Sequence, residues 1–328
     1  MLIDPLVIVR DIHLASTLIV AGMIFFDLFI VAPIWKTLPP SGVAQKCFQS
    51  SSHKILWASL ALSIASALAW LSLLSMRISG KGLGDIVTDG TLWRVLSQTQ
   101  FGFAWQIRLL LGGLLALCLW LRRANAGVFG QLGYLGLTIL AALLVAAYLG
   151  SLAFAGHGAE GLDAAQNIHL VADFLHLNAA GLWLGALVPL VLLLVYLARF
   201  REDGWALAAA GAASRFSTSG ILAVGALLVS GTINAAFLLG GMHSLIDTAY
   251  GRLLLLKIVL FAAMAALAGF NRQYLLPRLH AGTDQTSLTV RKLIRSTLAE
   301  IALGLAVVCI VGLLGIMPPA TEMIGHAH

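Results

Sequence analysis

The sequence predicts an all-α integral membrane protein with eight transmembrane helices. Of its 328 residues, 60% are hydrophobic and 10% are charged, and the mean hydropathy is +0.95. A soluble domain carries roughly 25% charged residues, and a helix needs about 20 apolar residues to cross a bilayer. Eight runs of about that length leave little room for a soluble domain. We predict helices over residues 11–35, 54–76, 103–121, 133–155, 168–198, 216–239, 252–275 and 297–317.

The distribution of Lys and Arg predicts the orientation of these helices. The first, third, fifth and seventh connections hold thirteen of the 20 basic residues, and the other side holds seven. Cytoplasmic loops carry an excess of Lys and Arg, so both termini are predicted to face outward. The net charge of +6 then reflects basic flanks beside an anionic lipid bilayer. No basic patch with interleaved aromatic residues indicates nucleic-acid binding.

Most histidines fall on the predicted outward side, in loops, in the C-terminal tail or at helix ends. These seven are His13, His157, His169, His176, His243, His326 and His328. Methionines at the same boundary include Met242, Met317 and Met323. Imidazole and thioether groups suit a copper ion, so a copper site is predicted here, although interfacial methionine also serves as apolar filler. The three cysteines have no C-x-x-C spacing, so no thiolate cluster is predicted.

The fifth predicted helix begins with a polar stripe. At 100° per residue, His169, Asp173 and His176 share a face roughly 60° wide. The two imidazoles are about 10 Å apart along the axis, too far to chelate one ion, whereas Asp173 could orient one of them through a hydrogen bond. An unpaired ionisable group inside a membrane costs at least about 2.5 kcal/mol, which favours a site inside the bundle. The alternative is a polar helix end in interfacial water.

Short sequence similarities predict an internal duplication. The first helix contains HLASTLIVAG from His13, and the fifth contains HLNAAGLWLG from His176. The third helix opens with FGFAWQIR and the seventh with YGRLLLLK, while the fourth and eighth lead into GHGA and GHAH. Three matches in the same order predict two parallel four-helix repeats, residues 1–160 and 161–328, related by an axis along the membrane normal.

This duplication would place His13 and His176 at equivalent depths, where they could face each other as the tightest metal or haem position. His169 and Asp173 are then expected at the entry to that position. The outer, weaker ligands would be His157, His243, His326 and His328. Asp27, deeper in the first helix, is predicted either to extend a pathway towards the cytoplasm or to be a polar partner of a neighbouring helix.

The second connection, residues 77–102, is long and contains Gly80, Gly82, Gly84 and Gly90. We predict that it forms a cap on the outward side with little regular structure. Such a cap would cover the candidate metal site.

Several motifs together resemble one protein family. They are R-x-x-H-L from Arg10, D-x-x-H-x-x-x-x-G-x-W-x-G from Asp173, FSTSGILAVGALLVSGTINA from Phe216, and YGRLLLLKIVLFAAMAALAGFNR from Tyr250. With these motifs the chain resembles the CopD family of bacterial inner-membrane copper resistance and copper uptake proteins. The resemblance implies eight spans, copper handling and inward movement of copper at the bacterial inner membrane, and often a separate periplasmic carrier of the CopC type. In such a membrane the outward-facing termini predicted above are periplasmic. It implies no catalytic residues, so we expect no enzyme activity.

Two other classes of protein fit the same residues. A protein of electron transfer or copper reduction could bind haem b between His13 and His176. Against this, transmembrane electron transfer usually needs a second haem, and no histidine is predicted at the depth of the other leaflet. A non-transporting copper sensor or assembly factor would also use a histidine-rich outward site. Haem absorbance and copper uptake by vesicles distinguish these classes.

Overall fold

The computed structural model describes residues 4–35, 42–124, 130–155, 164–239, 241, 243–282 and 285–318. Within these ranges the chain is helical almost throughout and contains no strand. Eight of the helices described are long and apolar enough to cross a membrane, as predicted. We call them spans 1 to 8, and they are Pro5–Trp35, Val43–Ser79, Gln100–Ala124, Gly133–Phe154, Ala165–Phe200, Trp205–Leu239, Ala249–His280 and Thr286–Leu314.

Several spans are longer than the apolar runs that predicted them. Spans 2, 6 and 8 each begin eleven residues before the predicted start, at Val43, Trp205 and Thr286. Each added stretch contains a basic residue, Lys46, Arg215 or Arg291, which ends an apolar run without ending a helix. The helix continues for as long as its backbone hydrogen bonds do, and basic side chains suit the boundary of the membrane.

Three spans contain a π-helical turn, in which the backbone accommodates one extra residue. These turns are Asp27–Val31 in span 1, Gly181–Gly185 in span 5 and Asn271–Leu275 in span 7. Such turns are frequent at functional sites. Two of the three begin at a polar residue of a span. Asp27 contacts Arg122 of span 3, and Asn271 contacts Glu300 of span 8.

Spans 1 and 5 cross at two glycines. A Cβ added to Gly22 would lie 1.9 Å from the carbonyl carbon of Gly185, and one added to Gly185 would lie 2.0 Å from the Leu18 oxygen. A side chain at either position would therefore push the two backbones apart. Gly22 follows His13 by nine residues, and Gly185 follows His176 by nine. The contact joins matching positions of the predicted repeat, and the repeat itself stays a prediction.

Span 1 lies inside the bundle and packs against spans 2, 4, 5 and 8. Its residues Val20 and Ala21 are both 0% exposed. Large apolar side chains elsewhere face outward, among them Phe103, Leu143 and Leu222. A bilayer accommodates such side chains, and the helical backbone satisfies its own polar groups, so these surfaces suit contact with lipid.

Contacts between span ends define two faces of the molecule. The Asp4 carboxylate at the start of span 1 lies 3.1 Å from the Arg77 guanidinium at the end of span 2. Arg10 donates a hydrogen bond to the carbonyl of Gly315, directly after span 8. We call this side the N-terminal face. On the opposite face, the Glu202 carboxylate accepts a hydrogen bond of 2.6 Å from the backbone at the start of span 2.

The second connection is helical, and the prediction of little regular structure was wrong. It forms two short helices at the N-terminal face, Leu83–Thr88 and Thr91–Gln98. Its glycines lie at helix boundaries: Gly80 ends span 2 with a φ of 67°, and Gly90 separates the short helices with a φ of 74°. Left-handed backbone of this kind favours glycine because a Cβ would be strained there. The glycines therefore stop and restart helices here.

Candidate functional site

His13 lies in a sealed polar centre in the first half of the chain. Its side chain is 0% exposed. Nδ1 lies 2.9 Å from the Ser63 carbonyl oxygen and 3.0 Å from the Ser66 hydroxyl of span 2. Nε2 accepts a hydrogen bond of 2.8 Å from the Arg108 guanidinium of span 3. Because a guanidinium only donates, Nε2 must carry the lone pair and Nδ1 the proton, so both ring nitrogens are engaged.

The Arg108 guanidinium is itself fully enclosed, with 1% of the residue exposed. It donates to the Tyr148 carbonyl oxygen at 2.6 Å and to the Ser151 hydroxyl at 2.9 Å, both in span 4, and to the Thr17 hydroxyl at 3.2 Å. It also lies over the Tyr148 ring, 4.3 Å from the centroid. Its hydrogen-bond acceptors among the described residues are all neutral. Burial without a carboxylate is tolerable only because these acceptors solvate the charge.

His176 occupies the corresponding place in span 5, but its environment differs. Nδ1 lies 3.0 Å from the Ser230 hydroxyl of span 6, and that hydroxyl donates to the Ala226 carbonyl at 2.6 Å. Since the serine proton is used in this way, Ser230 accepts the Nδ1 proton of His176. Nε2 therefore carries the lone pair, and it has no hydrogen-bond partner among the described residues. A neutral imidazole with a free Nε2 is in the state that binds a metal ion.

Asp173 and His169 lie one and two turns nearer the start of span 5 than His176. The Asp173 carboxylate accepts a hydrogen bond of 2.5 Å from Asn234 of span 6, and its other oxygen lies 3.7 Å from Nε2 of His169. That separation permits an ion pair but is too long for a hydrogen bond. The His169 ring stacks on Phe237 with 5.0 Å between centroids. Asp173 thus links span 5 to span 6 through Asn234, and its second oxygen faces His169.

The basic residues of the matching motifs also take matching places. Arg108 of span 3 contacts His13, and Lys257 of span 7 lies close enough to interact electrostatically with His176 and Asp173. Lys257 makes no hydrogen bond within the described parts of the chain. The second centre therefore combines a cation with a nearby carboxylate and leaves the imidazole unbonded at Nε2.

The structure does not bring His13 and His176 together as facing ligands. Each imidazole turns towards the second span of its own half, where the Ser63 carbonyl and the Ser66 hydroxyl accept the Nδ1 proton of His13 and the Ser230 hydroxyl accepts that of His176. Within the described residues, no three His, Cys, Asp or Glu side chains are grouped so as to hold a metal ion. The assignment of metal ligands stays a prediction.

The other predicted residues are dispersed. His243 is exposed beside the short helix Ser244–Asp247. Met317 packs against an apolar cluster after span 8. Asp27 forms an ion pair of 2.8 Å with Arg122 on span 3, which makes a basic side chain its partner. Its role in a pathway stays a prediction. Five further residues lie outside the described parts of the chain, namely His157, Met242, Met323, His326 and His328.

The partners that set the state of each imidazole were not predicted from the sequence. Arg108 carried a signal, because a basic residue inside an apolar span needs buried partners. Glu300, inside span 8, carried the same signal and is 2% exposed. Ser66 and Ser230 carried none, since a serine in such a helix can also bond to its own backbone.

An eight-span bundle with a histidine-centred polar site in each half defines a multi-pass membrane protein with interior imidazoles. The chain belongs to the copper resistance protein D family. The family model for the copper resistance protein D-like N-terminal domain matches residues 1–166, and that for copper resistance protein D matches residues 210–314. The predicted resemblance is confirmed, and the chain is a membrane protein of copper homeostasis.

Three similar proteins cover most of the chain. Inner membrane protein YebZ of Escherichia coli K12 is 29% identical over 94% of this chain and 97% of its own length. Copper transport protein CutJ of Bacillus subtilis 168 is 31% identical over 92% of this chain, which spans 50% of CutJ. Copper resistance protein D of Pseudomonas syringae pv. tomato is 30% identical over 70% of this chain and 72% of its own. No solved structure matches.

Proposed function

We propose that the protein receives copper at its N-terminal face and passes it towards the opposite face, with His176 as the first ligand inside the membrane. The observation that carries this proposal is the state of the ring. Nδ1 of His176 donates its proton to the Ser230 hydroxyl, with 3.0 Å between the two heavy atoms. Nε2 has no hydrogen-bond partner among the described residues. An imidazole fixed in one tautomer with a free lone pair needs neither proton loss nor rotation before it binds copper.

The N-terminal face is proposed to be periplasmic, in a bacterial inner membrane. Thirteen of the 20 basic residues lie in the connections of the opposite face or in the adjoining parts of the spans, as expected for the cytoplasmic side. The name of the relative YebZ, an inner membrane protein, supports this location. The name of CutJ, a copper transport protein, supports movement of copper across the membrane. The position of His176 in the first third of span 5, nearer the N-terminal face, supports inward movement as the proposed direction.

One imidazole does not complete a copper site, because even Cu(I) takes at least two ligands of nitrogen or sulfur type. The proposed additional ligands are residues predicted on the same face, namely His157, Met242, Met323, His326 and His328. His169 and Asp173 would act at the entry, with His243 and Met317 further out. A separate periplasmic carrier of the CopC type is proposed to deliver the ion. Binding and translocation, with no catalytic step, account for these residues.

Haem b is a weaker candidate. Bis-histidine ligation would need a free nitrogen on both His13 and His176, but both nitrogens of His13 are hydrogen-bonded. The two rings also bond to different spans. A copper sensor or assembly factor would use the same His176 site, and it differs only in that copper does not cross the membrane.

Copper uptake into vesicles tests the proposal. Wild type, His176→Ala and His280→Ala are reconstituted with a copper-sensitive dye inside. His280 is the matched control, because it is an exposed histidine at the opposite face that bonds to Ser214. Loss of a ligand should exceed the 10- to 100-fold cost typical of losing a group that orients one, so uptake by His176→Ala at limiting copper should fall at least about tenfold.

The outcomes separate the classes of function. His280→Ala should transport copper like wild type. Unchanged uptake by a folded His176→Ala variant would overturn the assignment of His176. Copper binding by wild type without uptake would indicate a sensor or assembly factor. A Soret band in the purified protein would show bound haem and support the haem alternative.

A further inference from the structure

Glu300 lies at the middle of span 8, which runs from Thr286 to Leu314. It is only 2% exposed. It lines a cavity of about 220 Å³ between spans 5, 6, 7 and 8, together with Trp183, Ser217, Asn271 and Arg272. The rest of the cavity lining is mostly apolar. A carboxyl group in such surroundings is costly unless a specific interaction offsets its burial, and this marks it as a candidate functional group.

The hydrogen bonds around Glu300 leave two acceptors without a donor. Asn271 donates from Nδ2 to Oε1 of Glu300 at 2.8 Å. Oε2 of Glu300 and Oδ1 of Asn271 are both buried and have no hydrogen-bond partner among the described residues. An unpaired buried acceptor costs about 1–3 kcal/mol, so this pair requires a donor or a cation.

A proton satisfies this requirement better than a metal ion. Protonation converts Oε2 into a donor, which removes one unpaired acceptor and offers a donor to the other. A hard metal cation would need six or more oxygen ligands, and the cavity presents only one carboxylate and one amide oxygen that are unpaired. The hydroxyl of Thr297 donates to Leu293, and that of Ser217 accepts from Arg272.

Few ionisable groups surround Glu300 in the cavity. Arg272 is the one other ionisable group among the residues that line the cavity. Its guanidinium donates to Ser217 of span 6 at 2.8 Å and makes no contact with Glu300. Spans 5, 6 and 8 contribute no further charged side chain to the lining. Arg272 lies eight residues before the end of span 7, so it belongs to the part of the cavity lining nearer the opposite face.

Span 5 contributes to both the candidate copper site and this cavity. Trp183 follows His176 by seven residues in that span. Trp183 is 2% exposed and lines the Glu300 cavity. The π-helical turn Gly181–Gly185, which contains Trp183, therefore lies between the free imidazole and the cavity of the buried carboxyl.

We propose that Glu300 and Asn271 form a proton-binding site inside the membrane, and that copper entering the adjacent cavity displaces the proton. The O–H bond of the carboxylic acid breaks, the proton passes to water at the opposite face, and the carboxylate balances the charge of the copper ion. No atom or electron is otherwise exchanged. The proton site stands on its own geometry, whereas its displacement by copper rests on the proposed function.

Infrared difference spectroscopy of the full chain in lipid nanodiscs tests both steps. Subtracting the spectrum of Glu300→Gln from that of wild type at neutral pH should leave one carboxylic acid C=O band. Asn271→Leu should keep the band but shift its frequency, because the acid loses its hydrogen bond from the amide. Copper(I) added under anaerobic reducing conditions should remove the band in wild type. It should leave the band intact in His176→Ala.

Each outcome decides one part of the proposal. No acid band in wild type, with the carboxylate band of Glu300 present instead, would overturn the proton site whether or not copper binds. If Glu300→Gln does not fold, loss of the wild-type band on raising the pH and the shift in Asn271→Leu decide the same point. Copper that binds without changing the band would overturn displacement. Failure of wild type to bind copper would refute the proposed function and leave the proton site standing.

Discussion

The two histidine centres share one design and differ in one partner. In both, a serine of the next span accepts the Nδ1 proton, so His13 and His176 carry their lone pairs on Nε2. Arg108 then occupies Nε2 in the first centre, while Lys257 makes no such bond in the second. Ser230 sets the tautomer of His176, Arg108 fixes that of His13, and the basic residue decides whether the Nε2 lone pair is available to a ligand.

The chemistry of the two basic side chains accounts for this difference. Arginine has five donors in a rigid fork, which lets Arg108 bond His13, Thr17 and span 4 at once. Lysine is a flexible point charge with a small head group. The position that matches Asp173, 163 residues earlier, is Arg10. The second centre thus has a carboxylate beside its cation where the first half has a further basic residue.

Removing the basic residues should produce the largest difference between the centres. Arg108→Met strands the acceptor Nε2 of His13 inside the bundle and removes the three other hydrogen bonds of the guanidinium, although the Tyr148 carbonyl oxygen keeps the Ser151 hydroxyl as a donor. At about 1–3 kcal/mol for the stranded acceptor and about 0.5–1.5 kcal/mol for each other lost bond, the free energy of unfolding should fall by about 3 kcal/mol or more. Lys257→Met removes no hydrogen bond to a described residue and should cost about 1 kcal/mol or less. Unfolding by SDS titration in mixed micelles measures both.

Equal losses of stability in these two variants would contradict the contrast between a bonded and an unbonded cation. Arg252→Met is a suitable control, because Arg252 is exposed at the start of span 7. It should lie within about 0.5 kcal/mol of wild type.

The same contrast shows how far the sequence could predict the molecule. The eight spans follow from the length of the apolar runs, because the bilayer imposes about 20 apolar residues on each. The starts of spans 2, 6 and 8 did not follow, since stretches that contain basic residues can remain helical. The second connection was mispredicted because glycines such as Gly80 and Gly90 end helices as readily as they loosen loops.

The candidate site was predictable in its residue types but not in its chemistry. Helical spacing placed His169, Asp173 and His176 on one stripe. The availability of a ring nitrogen depends on partners distant in sequence: Arg108 is 95 residues from His13, and Ser230 is 54 residues from His176. No local pattern encodes those pairings, because they arise from the packing of one span against another.

Replacing Lys257 by arginine should make the His176 centre resemble the His13 centre, in which Nε2 is occupied by a hydrogen bond. Lys257→Arg places a guanidinium beside His176, where it can donate to Nε2 as Arg108 does to His13. Copper binding must then break a charge-assisted hydrogen bond, worth about 1.5–3 kcal/mol, so the affinity should fall about 100-fold. Isothermal titration with a copper-buffering ligand measures the affinity. Lys257→Gln, which cannot offer the same fork, should bind at least as well as wild type; equal affinity of the Arg variant would contradict the model of a sealed centre.

Removing the serine that sets the tautomer should have a smaller effect. Ser230→Ala leaves Nδ1 of His176 without its acceptor, so the ring can rotate or change tautomer before it binds. Groups that orient a ligand in this way typically contribute 10- to 100-fold to metal affinity, and we expect about tenfold here. Ser230→Thr should restore binding because it keeps the hydroxyl. Ser66→Ala, the matching change beside His13, should leave copper affinity unchanged if His176 alone is the ligand. A tenfold loss in Ser66→Ala would instead implicate His13 in the copper site.

The smallest expected effect tests the carboxylate that distinguishes the two halves. Asp173→Asn keeps a side chain that can contact Asn234 but removes a negative charge near Lys257. Without that charge, Lys257 repels an arriving copper ion more strongly. Asp173 makes no direct contact with His176, so the loss should resemble that of a single partly exposed ion pair, about 0.7 kcal/mol or threefold in affinity. Arg10→Gln changes the charge at the matching position of the first half, beside the sealed centre, and should not weaken copper binding. An affinity that falls equally in both variants would mean that the two centres contribute alike to attracting copper, and the difference in their partners would then have no bearing on where copper binds.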